Sequence, residues 1–116
     1  MHSADCLFCR IIKREIPAKV AAENELVFAF HDVNPQAPVH ILIVPKTHFE
    51  SVNDLNNDLS SYLAPMTIMA KELASQNGIA NSGYRIVLNT GKDAGQSVFH
   101  LHMHLLGGRH MAWPPG

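Results

Sequence analysis

The chain has 116 residues, of which 47% are hydrophobic and 16% are charged, a balance that predicts one folded domain over residues 1–116 rather than a disordered chain. Nine Lys and Arg residues against ten Asp and Glu residues give a formal net charge of -1, which argues against a basic surface for nucleic acid or anionic lipid. No apolar run approaches the roughly 20 residues of a membrane helix and the first residues lack a signal-peptide pattern, so we expect a cytoplasmic protein that contacts neither membrane nor nucleic acid.

The N-terminal third predicts a short helix followed by a hairpin. Residues 7–14 favour a helix that must end by Ile16, because Pro17 disfavours helical geometry in the residue before it. Residues 20–30 contain two short apolar runs separated by polar residues, the pattern of two paired strands. Residues 34–38 are rich in Pro and Asn, which predicts a loop.

The middle of the chain predicts a buried strand and a long helix. The β-branched run 39–45 favours a strand that stops at Pro45. Residues 57–77 carry an apolar stripe at helical spacing, and Gly78 is expected to end this helix. Pro65 lies inside the stripe and predicts a kink or a late start of the regular helix. The stripe consists of Leu59, Leu63, Met66, Ala70 and Leu73.

The C-terminal third predicts two strands joined by a polar, glycine-rich loop. The strands cover residues 84–90 and 98–108, and the loop covers residues 91–97. The whole chain therefore offers about five strands, one short N-terminal helix and one long helix. Because most connections have hairpin length, we expect an α+β fold with a mainly antiparallel sheet.

Histidine is the unusual component of this sequence, with eight residues, three of them in the last predicted strand. His100, His102 and His104 alternate there with apolar residues, and a period of two places the three imidazoles on one face and the apolar side chains on the other, which is expected to face the core. Imidazole either ligates a transition metal or acts as a base or nucleophile near neutral pH, and spacing alone does not choose between these uses. The alternative is a solvated strand face that happens to use histidine. The apolar partners are Phe99, Leu101, Met103 and Leu105.

The residues upstream of this strand favour contacts with an anion. Gly91 and Gly95 supply flexible backbone and Ser97 supplies a hydroxyl, so that N–H groups near His100 would bind phosphate oxygens. This signal is weak alone, because glycine-rich hairpin loops also occur for purely conformational reasons.

Both cysteines lie in one Cys-x-x-Cys unit, Cys6 to Cys9. A cytoplasmic compartment keeps thiols reduced, so metal binding or redox chemistry is favoured over a structural disulfide. A thioredoxin-like redox pair lacks its strand–helix–strand context here, and two unligated thiols are the remaining alternative.

These residues together resemble the histidine triad (HIT) family. Residues 89–109 resemble its His-x-His-x-His signature followed by apolar residues, and residues 28–48 are similar to its nucleoside-binding half. Residues 11–20 are similar to its N-terminal segment, and the ending Trp-Pro-Pro-Gly at 113–116 is similar to the Hint branch of the family. The resemblance implies the HIT-like fold.

The resemblance also implies a reaction. Hint-like members cleave purine nucleoside 5'-phosphoramidates to AMP and an amine through a covalent nucleotidyl-histidine. Carried over by position, His102 is the nucleophile, His104 contacts phosphate oxygens, His40 is a further active-site histidine, and Ser97 lies near the leaving group. A dinucleoside polyphosphate hydrolase and a non-catalytic, zinc-stabilised nucleotide-binding module are the alternatives.

Further matching positions imply the nucleotide-binding residues. Asp32 matches a carboxylate that accepts hydrogen bonds from the ribose hydroxyls, Asn89 a residue that orients the triad, and Gly95 a backbone N–H that binds phosphate. The apolar positions resemble a purine pocket, although without the family they would be assigned to the core. They are Phe8, Ile11, Phe30, Val33 and Leu42.

Finally, the resemblance implies a metal and a partner. In some microbial relatives, a Cys-x-x-Cys unit and two histidines bind structural zinc, and these positions correspond to Cys6, Cys9, His48 and His100. Hint-like relatives form homodimers in which the tail at 113–116 reaches toward the active site of the partner. We expect the same assembly here.

Overall fold

The computed structural model describes residues 5–116; the first four residues, which belong to the segment compared with signal peptides, lie outside it. The elements are α1 (Leu7–Ile12), β1 (Val20–Glu23), β2 (Val27–His31), β3 (Val39–Pro45), a 3₁₀ turn (Val52–Asp54), α2 (Asn57–Gln76), β4 (Tyr84–Val87) and β5 (Met103–Gly107). The five strands form one sheet in the order β1-β2-β3-β5-β4, and every neighbouring pair is antiparallel. The predicted α+β class is confirmed.

The sheet is covered on both faces, and strand alternation divides its side chains between them. On one face, odd-numbered residues of β2, β3 and β5 pack against α2, and on the other face, even-numbered residues of β2 and β3 pack against α1. Because β3 is the central strand and is buried almost throughout, it needs an apolar sequence on both faces. The α2 face includes Val27, Ala29, Ile41, Ile43, Met103 and Leu105. The α1 face includes Phe28, Phe30, Leu42 and Val44.

Helix α2 has the predicted bounds and the predicted apolar stripe. Its N-terminus is capped by the Asn56 side chain, which accepts a hydrogen bond from the Leu59 N–H at 2.9 Å. The helix continues through Pro65 from its first residue, so a late start is wrong. It ends before Gly78, whose φ of 74° suits glycine at this position. The residues buried along it are Leu59, Met66, Met69, Ala70, Leu73 and Ala74. Within residues 5–116, α2 and the shorter helices lack the combined length and apolar character that crossing a membrane requires.

The predicted N-terminal helix and hairpin are confirmed. Helix α1 ends at Ile12, before the position that Pro17 disfavours. The turn between β1 and β2 is held by the Asn24 side chain, whose Oδ1 accepts hydrogen bonds from the N–H groups of Leu26 and Val27 at 2.9 Å each. A single side chain within the turn therefore stabilises the connection between β1 and β2.

The last strand is shorter than predicted. The sequence pattern favoured a strand over 98–108, but β5 begins at Met103, whose pairing with Ile43 is the last in the ladder with β3. The ladder stops there because Pro45 has no N–H to donate and β3 ends with it. The expectation that Phe99 faces the core is also wrong, because this residue precedes the ladder and is 55% exposed.

Strand β4 is likewise shorter than the predicted segment 84–90. Its last pair joins Val87 to His104, and β5 offers only one further residue, Met103, toward its start. With β1 at one side and β4 at the other, the sheet has two edge strands in the described chain. An edge strand presents backbone groups that another chain can pair with.

We predict that Leu105→Ala lowers the free energy of unfolding by about 2–5 kcal/mol, because it opens a cavity between β5 and α2. Leu105 is fully buried in the α2-side core. The matched control is Leu55→Ala, which removes the same atoms from a side chain that is 53% exposed and is expected to cost less than about 1 kcal/mol. Urea denaturation measures both, and equal losses would contradict the assigned core.

Candidate active site and metal centre

Cys6, Cys9, His48 and His100 come together in a buried cluster beneath α1. Cys6 caps α1, and its Sγ accepts a hydrogen bond from the Cys9 N–H at 3.3 Å. The Nδ1 atom of His100 lies 3.2 Å from Cys6 Sγ and 3.4 Å from Cys9 Sγ. The Nδ1 atom of His48 lies 3.1 Å from that of His100 and 3.4 Å from Cys9 Sγ. The four donor atoms all lie within 4.8 Å of one another.

The donor set fits a structural zinc ion. His100 Nε2 lies 2.9 Å from the Pro45 carbonyl oxygen, which only accepts, so the ring proton is on Nε2 and the Nδ1 lone pair faces the cluster. Two thiols and two imidazoles are a usual donor set for four-coordinate zinc. Burial raises the pKa of the Cys6 thiol, a desolvation cost that a bound cation would offset by ligating the thiolate.

A cavity of about 350 Å³ lies beside this cluster, between α1 and the sheet. It brings together most of the residues assigned to nucleotide binding and catalysis. Those that line it are Phe8, Ile11, Phe30, Asp32, Val33, Leu42, Ser97, His102 and His104. Most of the apolar ones are also part of the core beneath α1, so the core and the pocket assignments are compatible. Val33, in contrast, is 99% exposed and is not a core residue.

His102 is buried at the inner wall of this cavity with one ring nitrogen already bonded. Its Nδ1 lies 2.7 Å from the His100 carbonyl oxygen, so Nδ1 carries the proton and Nε2 has a free lone pair. Burial lowers the pKa of His102, against the opposing effects of this hydrogen bond and of Asp32. The ring is held against Phe8 with their centroids 5.1 Å apart. His102 is therefore a neutral imidazole at neutral pH, oriented by its hydrogen bond and with a free lone pair on Nε2.

The tautomers of His40 and His104 follow from the same reasoning. The Gln36 N–H donates to His40 Nδ1 at 3.0 Å, so the proton of neutral His40 is on Nε2. That nitrogen lies 2.9 Å from His104 Nδ1 and 3.4 Å from Asp32 Oδ2. Because His104 accepts at Nδ1, its own proton is on Nε2.

Both of these imidazoles are neutral at neutral pH. Burial lowers the pKa of His104 to about 4, and the neighbouring His102 and His40 add to this shift while Asp32 opposes it. Burial also lowers the pKa of His40, again against Asp32. An uncharged His104 still donates a hydrogen bond through Nε2.

The loop at 91–97 is held by a residue that the sequence analysis did not single out. Gln96 is buried, and its Oε1 accepts a hydrogen bond from the Gly91 N–H at 2.9 Å. Its Nε2 donates to the carbonyl oxygens of Glu50 at 2.6 Å and Val98 at 3.1 Å. One amide therefore joins both ends of the loop to the segment after His48. A polar residue in a polar loop gives no sequence signal of such a role.

Some assigned residues lie outside the cavity wall. His40 is behind it, in contact with His104. Asn89 is half-buried, and the Gly95 N–H donates to the Lys92 carbonyl within the loop at 3.0 Å. Conversely, His31 lines the cavity without having been assigned a role. The functional roles of all these residues remain predictions.

The C-terminal tail is exposed in the single chain. Trp113 is 82% exposed, and the preceding carbonyl of Ala112 accepts a hydrogen bond from the Arg85 guanidinium on β4. A large aromatic side chain with so much exposed surface is uncommon on a monomer. The hydrogen bond from Arg85 attaches this exposed tail to β4, an edge strand of the sheet.

Comparisons with known proteins agree with the fold. The sequence model of the HIT domain matches residues 13–111, a range that excludes Cys6, Cys9 and Trp113. The chain is 47% identical to the purine nucleoside phosphoramidase of Escherichia coli over 105 residues, which is 90% of this chain and 88% of that protein.

Solved structures are similar over nearly the whole chain. The crystal structure of a HIT family hydrolase from Legionella pneumophila Philadelphia 1 has a TM-score of 0.94 and 52% identity, covering 97% of this chain and 100% of the other. A histidine triad protein from Clostridium difficile has a TM-score of 0.93 and 38% identity, covering 97% of each chain. The chain therefore belongs to the HIT domain family and is related to hydrolases of that family.

Proposed function

We propose that this protein hydrolyses purine nucleoside 5'-phosphoramidates to a nucleoside monophosphate, AMP for an adenylated amine, and the free amine. The observation that carries the proposal is the hydrogen bond from His102 Nδ1 to the His100 carbonyl oxygen, which leaves Nε2 free at the cavity wall. The relationship to the Escherichia coli purine nucleoside phosphoramidase supports the substrate class.

In the proposed reaction, His102 Nε2 attacks the α-phosphorus and the bond from phosphorus to the amine nitrogen breaks. The amine nitrogen takes up a proton from solvent as it leaves, and Ser97 at the cavity wall is the assigned residue beside that leaving group. The nucleotidyl-imidazole that forms carries positive charge, which the His100 carbonyl oxygen stabilises through Nδ1–H. Water then attacks phosphorus, the bond from phosphorus to Nε2 breaks, and AMP and neutral His102 are released as the water's proton passes to solvent.

The neighbouring residues bind and orient the nucleotide in this proposal. His104 donates Nε2–H to a phosphate oxygen, since its Nδ1 accepts from His40. Asp32 accepts hydrogen bonds from the ribose hydroxyls, and the apolar cavity wall receives the purine. Asn89 and Gly95 are assigned to orienting the triad and to phosphate binding on resemblance alone.

We also propose that Cys6, Cys9, His48 and His100 hold a structural zinc ion. Four protein donors leave no open position for a metal-bound water, so zinc would supply rigidity rather than a nucleophile. It would join the N-cap of α1 to the segment that precedes β5. A reducing compartment such as the cytoplasm suits these thiols, neither of which is in a disulfide.

Finally, we propose a homodimer. Ile68 on α2 and Ile86 on β4 are exposed apolar residues, 56% and 37% accessible, and β4 is an edge strand. The hydrogen bond from Arg85 on β4 to the Ala112 carbonyl oxygen attaches the tail that carries Trp113 to this edge strand. A second copy that pairs along β4 would cover these residues and bring each tail near the other chain.

The first prediction from this proposal is that His102→Ala lowers kcat for an adenosine phosphoramidate by roughly 10³-fold or more and changes AMP affinity by less than about tenfold, because the nucleophile acts on the barrier. Steady-state kinetics and calorimetry measure the two effects. The control His110→Ala removes an exposed imidazole and should leave both unchanged. Faster turnover of a diadenosine polyphosphate than of the phosphoramidate by the wild type would contradict the substrate class.

The second prediction concerns zinc. Protein purified without chelator should contain one zinc ion per chain, and the double variant Cys6→Ser with Cys9→Ser should contain none, because both thiolates are ligands. Chelation should lower the melting temperature of the wild type, since an ion bound only to the folded state stabilises it. Elemental analysis that finds no zinc in the wild type, or equal zinc in the double variant, would falsify this site.

The third prediction concerns the dimer. Light scattering should give the mass of two chains at micromolar concentration, and deleting residues 113–116 should alter the selectivity among amine leaving groups more than the affinity for AMP. The physical reason is that a tail supplied across the interface contacts the departing group rather than the nucleoside. A monomeric wild type, or unchanged selectivity after the deletion, would contradict it.

A further inference from the structure

A depression with basic side chains lies at the β4 edge of the sheet, where no residue of the α1-side cavity takes part. Strands β4 and β5 pair so that Tyr84 faces Gly107, which brings the start of β4 beside the residues that follow β5. Two cavities of about 200 and 380 Å³ open there and share four wall residues, so they form one basic depression. The shared residues are Ser82, Gly83, Arg109 and His110, and Arg85 also lines the smaller cavity.

The positive charge of the basic depression is not compensated by the residues that the structure describes. Neither cavity has an Asp or Glu residue among its described wall residues. Within residues 5–116, Arg10 and Arg14 each pair with a glutamate, whereas Arg85 and Arg109 form no ion pair. Although the whole chain has a net charge of -1, this depression therefore presents a local positive field that attracts anions.

Both guanidinium groups are held in place while most of their donors stay available. Arg85 donates from Nη2 to the Ala112 carbonyl oxygen. Arg109 donates from Nε to the Gln36 carbonyl oxygen at 2.9 Å and from Nη1 to the His110 carbonyl oxygen at 3.1 Å. A guanidinium has five N–H groups, and neutral carbonyl partners orient it without neutralising its charge. Part of the ordering cost of binding an anion is therefore already met.

The chemistry of the basic depression selects a particular class of anion. A guanidinium binds carboxylate or phosphate oxygens through paired, charge-assisted hydrogen bonds. Two guanidiniums favour an anion with a double negative charge and oxygens directed to several sides, which a phosphate group supplies and a single carboxylate does not. The exposed imidazole of His110 adds one more N–H donor.

We propose that Arg85, Arg109 and His110 form a binding site for a phosphate dianion, either free phosphate or the terminal phosphate of a small monoester. This site is separate from the cavity of the proposed reaction, since the two share no wall residue among those described. It does not depend on the role assigned to His102. The proposed function and this site therefore stand or fall by different experiments.

The test follows the arginine Nε–H groups by NMR spectroscopy while inorganic phosphate is added at constant ionic strength. Arg10 and Arg14, the remaining arginines of the chain, are internal controls because each is already paired with a glutamate. We expect saturable shifts of the Arg85 and Arg109 signals that follow one binding curve. The signals of Arg10 and Arg14 should show no saturable change.

Two variants test the site independently. Arg85→Gln and Arg109→Gln should each weaken phosphate binding at least about tenfold, read from the arginine that remains, because each removes charge-assisted hydrogen bonds. The matched control is Arg14→Gln, which removes an exposed guanidinium paired with Glu23 and should bind phosphate as the wild type does. Circular dichroism checks the folding of each variant, and either folded variant alone is sufficient for the comparison.

Three outcomes would overturn the site. They are the absence of a saturable shift at Arg85 and Arg109, equal shifts at all the arginines, which would indicate unspecific ion association, and wild-type affinity in the folded variants. Parallel titrations with ribose 5-phosphate and acetate identify the ligand class. Tighter binding of ribose 5-phosphate than of inorganic phosphate assigns the site to monoesters, and the reverse assigns it to free phosphate. Acetate binding as tightly as either would contradict a site for a phosphate dianion.

Discussion

His100 is the residue on which both centres depend, because it bonds to each of them in a different way. Its ring donates from Nε2 to the Pro45 carbonyl oxygen, and this orients Nδ1 toward Cys6 and Cys9. Its own carbonyl oxygen accepts from His102 Nδ1. One buried residue therefore sets the direction of a proposed metal ligand and the tautomer of the proposed nucleophile. A shift of this residue would disturb both at once, because its ring contacts the cysteines and its carbonyl oxygen bonds to His102.

Backbone contacts extend this coupling to the glycine-rich loop. The Leu101 N–H donates to the Phe49 carbonyl oxygen at 2.6 Å, and Gln96 donates to the next carbonyl, that of Glu50, at 2.6 Å. Both carbonyls directly follow His48, a member of the cysteine–histidine cluster. The cluster, the loop and the histidine segment thus meet along one strip of chain. Order gained at the cluster would therefore be transmitted to the loop at 91–97 through these hydrogen bonds.

Local patterns in the sequence were sufficient to predict which segments form helices and strands. The ends of the strands and the protonation of the histidines depend instead on partners distant in sequence. The period of two at 100–105 predicted which apolar side chains share a face, and Leu101, Met103 and Leu105 do pack in the same core cluster. The same pattern extended the strand too far and turned Phe99 inward, because the ladder is limited by Pro45 on another strand. The role of Gln96 required knowing which carbonyls fold against it. The resemblance, rather than periodicity, supplied the assignment of Asp32.

The charges of the cavity wall suit the anionic substrate of the proposed function. Within the described chain, the residues that line the cavity include no Lys or Arg, and burial keeps His102 and His104 neutral. Under the proposed function, phosphate oxygens are therefore held by N–H dipoles rather than by fixed positive charge. Positive charge develops at His102 only when Nε2 bonds to phosphorus, so attraction to the phosphate group rises along the reaction coordinate. It falls again when AMP is released, because the histidine returns to its neutral form. A permanently cationic pocket would instead bind the AMP dianion tightly and slow its departure, whereas under the proposed function this neutral cavity would favour the transition state over the product.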